Sequence, residues 1–187
     1  MSRGDDMKVL VACEESQVVC KAFRMRGHEA YSCDLQKCSG GRPSWHIQGN
    51  VLDVLYDDWD LVIAFPPCTY LSNVNSPIMD DFRLQKMNVG SEFFRFFLNL
   101  SCPYCIENPV QMSICNLPKP TQYIEPYFFG HPYTKKTGLW LHNLPLLNPT
   151  KIVYPYLGQY VQSGSRSSLY RSKTFHGVAA AMASQWG

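Results

Sequence analysis

Short apolar runs alternate with stretches of helical spacing along this chain, and the alternation predicts an α/β fold. Lys8-Val9-Leu10-Val11-Ala12 is an apolar run of strand length that breaks at Cys13-Glu14-Glu15-Ser16. Val18 to Met25 then reads as a helix closed by Gly27. His28 to Cys33 is the next strand, ending in Asp34, and Ser39-Gly40-Gly41-Arg42-Pro43 has the composition of a loop. Trp45 to Gly49 reads as extended, Val51 to Leu55 as a short helix or turn, and Leu61 to Phe65 as the central strand. Between Met87 and Leu98, Val89, Phe93, Phe94, Phe96 and Phe97 recur at helical spacing and are expected in the core. Tyr104 to Glu107 is a strand; Tyr123 to Phe129 and Thr137 to Leu141 are expected to pair antiparallel; Val178 to Trp186 is a terminal helix. Strands separated by helices imply a mostly parallel sheet with helices on both faces. No repeat or linker interrupts the pattern. One domain over residues 1–187 is expected, with residues 1–6 read as an extension without a fold role.

The central strand runs into Pro66-Pro67-Cys68. Proline cannot continue a ladder and fixes its own φ, so the chain leaves the sheet there in a stiff turn that presents one cysteine. The carboxyl end of a parallel strand is where open α/β sheets bind ligands. Cys105-Ile106-Glu107-Asn108-Pro109-Val110 repeats the design with a carboxylate in place of the thiol. A nucleophile on one strand end and an acid on another point to covalent catalysis on a ring that needs both attack and protonation.

Composition narrows this only a little. The 187 residues suffice for a sizeable core, and 45% hydrophobic with 17% charged residues is an ordinary globular balance. A net charge of +2 neither demands nor excludes a nucleic-acid partner. No run has membrane-spanning length and the start carries no signal-peptide core, so a cytoplasmic protein without a membrane partner is expected. The eight cysteines therefore read as reduced thiols, mostly small buried hydrophobes. Cys102-Pro103-Tyr104-Cys105 has dithiol redox spacing, but such a motif belongs at a helix N-terminus and here it runs into a strand. Cys115 and His131 match no usual zinc spacing with it, and no metal is expected.

The first strand-turn-helix bears on the cofactor. A dinucleotide site needs glycines there so that backbone can approach the pyrophosphate. Residues 12–17 contain no glycine and two acids, Glu14 and Glu15, which repel a pyrophosphate and suit a ligand with a positive centre. Asp34 stands where a ribose would be met; the alternative is that Asp34 and Glu14 merely cap helices.

Taken in order, Cys13-Glu14-Glu15-Ser16, Asp34, Pro66-Pro67-Cys68 and Glu107-Asn108-Pro109 resemble the S-adenosylmethionine-dependent DNA cytosine carbon-5 methyltransferases, and most of all their short phage-type members. The resemblance is collinear from the first strand to the last helix. It implies a Rossmann-like methyltransferase fold in a bacterial or phage-infected cell. It implies that Cys68 adds to carbon 6 of the pyrimidine while Glu107, with Asn108, serves N3 and the exocyclic amine. It implies that S-adenosylmethionine lies against Cys13, Glu14, Glu15, Ser16, Asp34, Asn50, Phe65 and Pro66, with residues 172–175 closing one side. Pro67, Ser72, Asn73, His131, Lys135 and Lys136 occupy the substrate side, although two lysines in a hairpin are equally well plain surface charge.

Three positions depart from the family pattern. Cys-Glu-Glu-Ser replaces the glycine-rich first motif of the large enzymes, and Asn50 stands where an aspartate often reads the adenine amine. Between Leu141 and Arg171 only about thirty residues stand where a target-recognition domain is usual, too few for a second core. The expectation is then an enzyme that methylates DNA with little sequence preference, or acts on a free cytosine nucleotide, or takes its duplex contacts from a homodimer or a partner. Tyr154, Tyr156 and Tyr160 could stack on bases or pack against the sheet edge. The competing readings are a catalytically silent nucleotide or nucleic-acid binder on the same fold, and a thiol oxidoreductase built on Cys102 and Cys105.

Overall fold

Strands β1 (Lys8–Ala12) and β4 (Leu61–Ala64) are apolar at every position but the first lysine, and they lie at the middle of a sheet covered on both faces. The computed structural model describes residues 6–72, 80–156 and 173–187. With β2 (Glu29–Asp34), β3 (His46–Gln48), β5 (Tyr104–Pro109), β6 (Gln122–Ile124) and β7 (Thr137–His142), they form a seven-stranded sheet in the order β3-β2-β1-β4-β5-β7-β6. Strands β1 to β5 pair in parallel, whereas β7 runs antiparallel to both of its neighbours. The sheet is thus mostly parallel, and the chain has the Rossmann-like α/β architecture that the methyltransferase resemblance implies.

Alternate side chains divide the core in two. Val9, Val11, Leu61, Ile63 and Cys105 face α1 (Val18–Arg24) and α3 (His176–Trp186). Leu10, Ala12, Val62, Ala64 and Ile106 face α2 (Asp81–Leu98), whose Met87, Phe94 and Phe97 are buried against them. Helices α1 and α3 also pack on each other.

Three expectations change. Helix α2 begins at Asp81, six residues before the apolar periodicity, because the Asp80 carboxylate accepts the Arg83 N–H at 2.8 Å and caps the helix. Val89 and Phe96 lie outside the core, 59% and 40% exposed. Buried positions 87, 91, 94 and 97 fix the core face of α2, and Val89 and Phe96, seven apart, fall on the opposite side. Of the expected strand Tyr123 to Phe129 only Tyr123 and Ile124 lie in β6; Pro126, with no N–H to donate, opens a 3₁₀ turn over Pro126–Phe128. Among the described residues no helix is long and apolar enough to cross a membrane.

Candidate active site

The turn after β4 is fixed from three sides. Phe65 N–H donates to the Ala12 carbonyl at 3.0 Å, which keeps β4 level with the end of β1. Ala64 pairs with Ile106, so the next residues of the two strands run side by side, and Asn108 Nδ2 donates to the Pro66 carbonyl at 2.9 Å. Asn108 is completely buried, and a buried bond of this kind joins the Pro-Pro-Cys turn to the Glu-Asn-Pro strand end directly. Beyond the prolines, Leu71 and Ser72 N–H groups donate to the Cys68 carbonyl at 3.0 and 3.1 Å. Leu71 is fully buried and sits against Gly90 of α2, where a Cβ would lie 3.4 Å from its Cδ2. Its carbonyl accepts Met112 N–H at 2.9 Å, and Ser72 bridges to Gln111. Cys68 is left half-buried on a turn anchored at both ends.

Asn108 is therefore a brace. Its side chain holds Pro66 and its Oδ1 is buried without a partner, so it positions the thiol's turn. Ser72 is likewise 4% exposed and contributes backbone pairing.

Glu107 takes the opposite face of β5 from Asn108, as strand alternation requires. It lines a small cleft with Ile124, Pro126, Lys135, Thr137, Thr174, Phe175 and Val178. Burial pushes the Glu107 carboxyl above the usual carboxylate range, and the charge of Lys135 pulls the other way. A carboxyl shifted in this direction holds its proton to higher pH than an ordinary one, and in that form it can donate a hydrogen bond. Thr137, Ile124, Pro126 and Val178 carry no sequence signal for this role, since they converge only through the β6-β7 pairing and the start of α3. Thr174 and Phe175 close the cleft from the segment that leads into α3.

The expected substrate residues separate. Lys135 reaches the Glu107 cleft, whereas Lys136 Nζ turns onto the Tyr123 ring, 4.3 Å from its centroid. His131 is spent on the fold: its Nε2 accepts the Gly177 N–H at 3.0 Å. Asn73, Tyr160 and residues 171–172 lie outside the described residues. Tyr154 and Tyr156 are 80% and 71% exposed, so they do not pack on the sheet edge. Cys105 is fully buried in β5 with its thiol held well above its ordinary pKa by burial, a poor setting for a dithiol exchange centre.

The turn after β1 is built differently from a phosphate loop. Cys13 and Gln17 both adopt left-handed φ, +59° and +58°, without glycine. Glu14 is 5% exposed, and its carboxylate accepts Val19 N–H at 2.7 Å, Cys20 N–H at 3.2 Å and the Ser16 hydroxyl at 3.4 Å. Burial raises its carboxyl to about 7 although these bonds favour the ionised form. Glu14 thus does what the capping alternative holds. Burial also raises the Cys13 thiol, with Asp34 adding to the effect. Glu15 is 9% exposed and its Oε2 is buried without a partner. Gln17, fully buried, exchanges two hydrogen bonds with the Arg42 backbone (2.9 and 3.1 Å), and Lys21 Nζ donates to the Gly40 carbonyl. Gly40 fits because a Cβ would stand 2.6 Å from Gln17 and from the Ser16 carbonyl. The loop 39–42 is thereby strapped across the turn. At the neighbouring strand ends, Asp34 accepts Gln36 N–H at 2.8 Å and Asn50 Oδ1 accepts Leu52 N–H at 3.1 Å, so the Asn50 oxygen expected to read an adenine caps its own 3₁₀ turn.

No family model matches the chain, and no curated protein matches it. Among solved structures it is similar to the crystal structure of a mutant of DNMT2 from Spodoptera frugiperda, with 14% identity over 80% of this chain and a TM-score of 0.42. The chain spans 55% of that protein's length.

Proposed function

We propose that this chain is an S-adenosylmethionine-dependent methyltransferase that acts on carbon 5 of cytosine through a covalent Cys68 adduct. The observation that carries the reading is the buried 2.9 Å bond from Asn108 to Pro66, by which a half-buried cysteine on a stiff turn and an acid of raised pKa are held on adjacent strand ends. Support for the cofactor comes from the β1 turn. Its glycine-free backbone, the unpartnered Glu15 oxygen and Asp34 suit a ligand with a cationic centre and a ribose, and are unsuited to a pyrophosphate. Cys13, Glu15, Asp34 and Phe65 would hold it; when bound it supplies an electrophilic methyl group.

The chain's own residues do the rest. The Cys68 thiolate forms a bond to carbon 6, and the electron pair of the 5,6 double bond moves into the ring. Glu107 as the acid hydrogen-bonds N3 and stabilises that charge, making carbon 5 nucleophilic. After carbon 5 has been alkylated, its proton leaves to a base, the sulfur–carbon bond breaks and the double bond returns. The walls of Ile124, Phe175 and Val178 exclude water from the Glu107 side. The acceptor is DNA or a cytosine nucleotide, and a second copy or a partner supplies any long recognition site.

Labelled S-adenosylmethionine offered with duplex DNA, single strands and free cytosine nucleotides in parallel tests the reading. Transfer to carbon 5 of cytosine in one arm is expected. Cofactor binding with no transfer in any arm, and no covalent complex with 5-fluorocytosine acceptors, would favour the catalytically silent binder.

A further inference from the structure

Helix α3 starts without a cap of its own. Phe175 stands at its N-cap and offers no side-chain acceptor, so the first N–H groups must find partners elsewhere. One finds His131, 46 residues upstream: Gly177 N–H donates to His131 Nε2 at 3.0 Å. The direction of that bond fixes the state of the ring. A backbone N–H can donate only to an imidazole nitrogen that carries no proton, so Nε2 is bare and the ring neutral.

Everything around the ring makes it the joint between the 126–133 segment and α3. His131 N–H donates to the Pro126 carbonyl at 3.2 Å, and Tyr133 N–H to the His131 carbonyl at 2.7 Å. The imidazole lies 4.9 Å from the Phe175 ring, which in turn lies 6.0 Å from Tyr133. Gly177 is pressed so closely on Phe129 that a Cβ would meet its carbonyl oxygen at 2.0 Å. Thr174, Phe175 and Val178, the residues this joint fixes, form one wall of the Glu107 cleft.

We propose that His131 is a pH-sensitive latch that holds the start of α3 against the cleft while neutral and releases it on protonation. A proton on Nε2 would turn the acceptor into a donor facing another donor. It would also set a positive charge at the positive end of the helix dipole. Among the described residues, charged groups of both signs lie around the joint. Burial, and then the nearby His176 at the first position of α3, hold the His131 pKa below its ordinary value. Lys135 lines the cleft behind Phe175, and Lys173 precedes it. Of the acids, burial pushes the Glu107 carboxyl towards its neutral form, and Glu125 Oε2 accepts the Lys135 N–H at 2.7 Å. The latch stands on this geometry alone; that its release loosens a substrate site rests on the function proposed above.

Hydrogen exchange of the full chain between pH 5 and 8, corrected for intrinsic rates and read on peptides covering 174–182, tests the latch without any substrate. Opening of a joint that binds a proton only when open should increase by about tenfold per pH unit below the ordinary histidine pKa of about 6.5, levelling at the lowered value. His131→Gln keeps an acceptor that does not titrate and should flatten this dependence; His131→Ala should leave the region fast at every pH. His176→Asn should keep the onset and bring in the plateau at higher pH, so that the step is smaller. A flat profile in the unmodified chain overturns the latch, and so does a step that survives in His131→Gln. Failure of methyl transfer with the exchange step intact would instead count against the proposed function alone.

Discussion

Glu14 is a buried and Glu107 a half-buried carboxyl at a strand end, and both are pushed above the ordinary carboxylate range by desolvation. Their surroundings differ. Glu14 is engaged by two backbone N–H groups and a hydroxyl at the start of α1, and it does not line the Glu107 cleft. Glu107 has a lysine charge nearby and opens onto a cleft walled by five elements of the chain. A raised pKa alone therefore does not mark a catalytic acid; the distinguishing property is whether the group's hydrogen-bonding capacity is already used. The same contrast separates the two turns. Residues 13–17 are strapped shut by Gln17 and Lys21, whereas the Cys68 turn is braced from beneath and leaves its thiol half-buried.

The largest expected effects fall on the Cys68–Glu107 side. Cys68→Ser should lose methyl transfer by several orders of magnitude with cofactor affinity unchanged by calorimetry, and 5-fluorocytosine acceptors should trap a covalent complex only with the unmutated chain. Full activity of the serine variant would end the covalent mechanism. Glu107→Gln should lower turnover by about 10²–10⁴-fold and leave the urea midpoint nearly unchanged. Because the acid form of Glu107 is the active one, turnover of the unmutated enzyme should fall as pH rises through its raised pKa, and the glutamine variant should lack that limb. If both variants lose stability and activity together, the contrast with Glu14 is false.

At Glu14 the effect should be on folding. Glu14→Ala removes a helix-start acceptor and should cost about 1–3 kcal/mol in urea unfolding, with the remaining folded enzyme turning over normally. Its pH dependence has a definite sign. The folded pKa of about 7 exceeds the unfolded value of 4.5, so the folded state binds more protons between them. Stability should be fullest below 4.5 and decline as pH rises towards 7, by roughly 3 kcal/mol at about 1.4 kcal/mol per pKa unit. Glu14→Gln should remove most of this slope; a slope of opposite sign would mean that the N–H bonds outweigh burial.

The smallest effect should separate the two lysines. Lys136→Ala loses a contact over Tyr123 and should cost no more than about 1 kcal/mol, with activity intact. Lys135→Ala should change the pH of the Glu107 limb, moving it up because a nearby positive charge is removed. Equal behaviour of the two variants would mean that Lys135 has no part in the cleft.

The sequence alone determined the parts of this protein that depend on local order. Strand-length apolar runs, the glycine at 27 and the two prolines after Phe65 set β1, β2, β4, β5 and the exits from them, because backbone preference and two-faced burial are written in neighbouring residues. The placement of Cys68 after β4 and of Glu107 near the end of β5 was legible for the same reason. Tertiary structure alone decided what each polar side chain does. Nothing local says that Glu14 turns inward to cap α1, that Asn50 caps its own turn, or that His131 meets Gly177. Hydrogen-bonding capacity is used up by whatever donor the fold brings near, and those donors lie up to 46 residues away. The insertion of β7 between β5 and β6 was hidden likewise, and with it the cleft, since a pairing of distant segments is fixed by their common burial and leaves no periodic trace. Helix α2 shows the limit most simply: its phenylalanines are spaced for a helix all round, and only the sheet beneath it selects Phe94 and Phe97 for the core and leaves Phe96 in water.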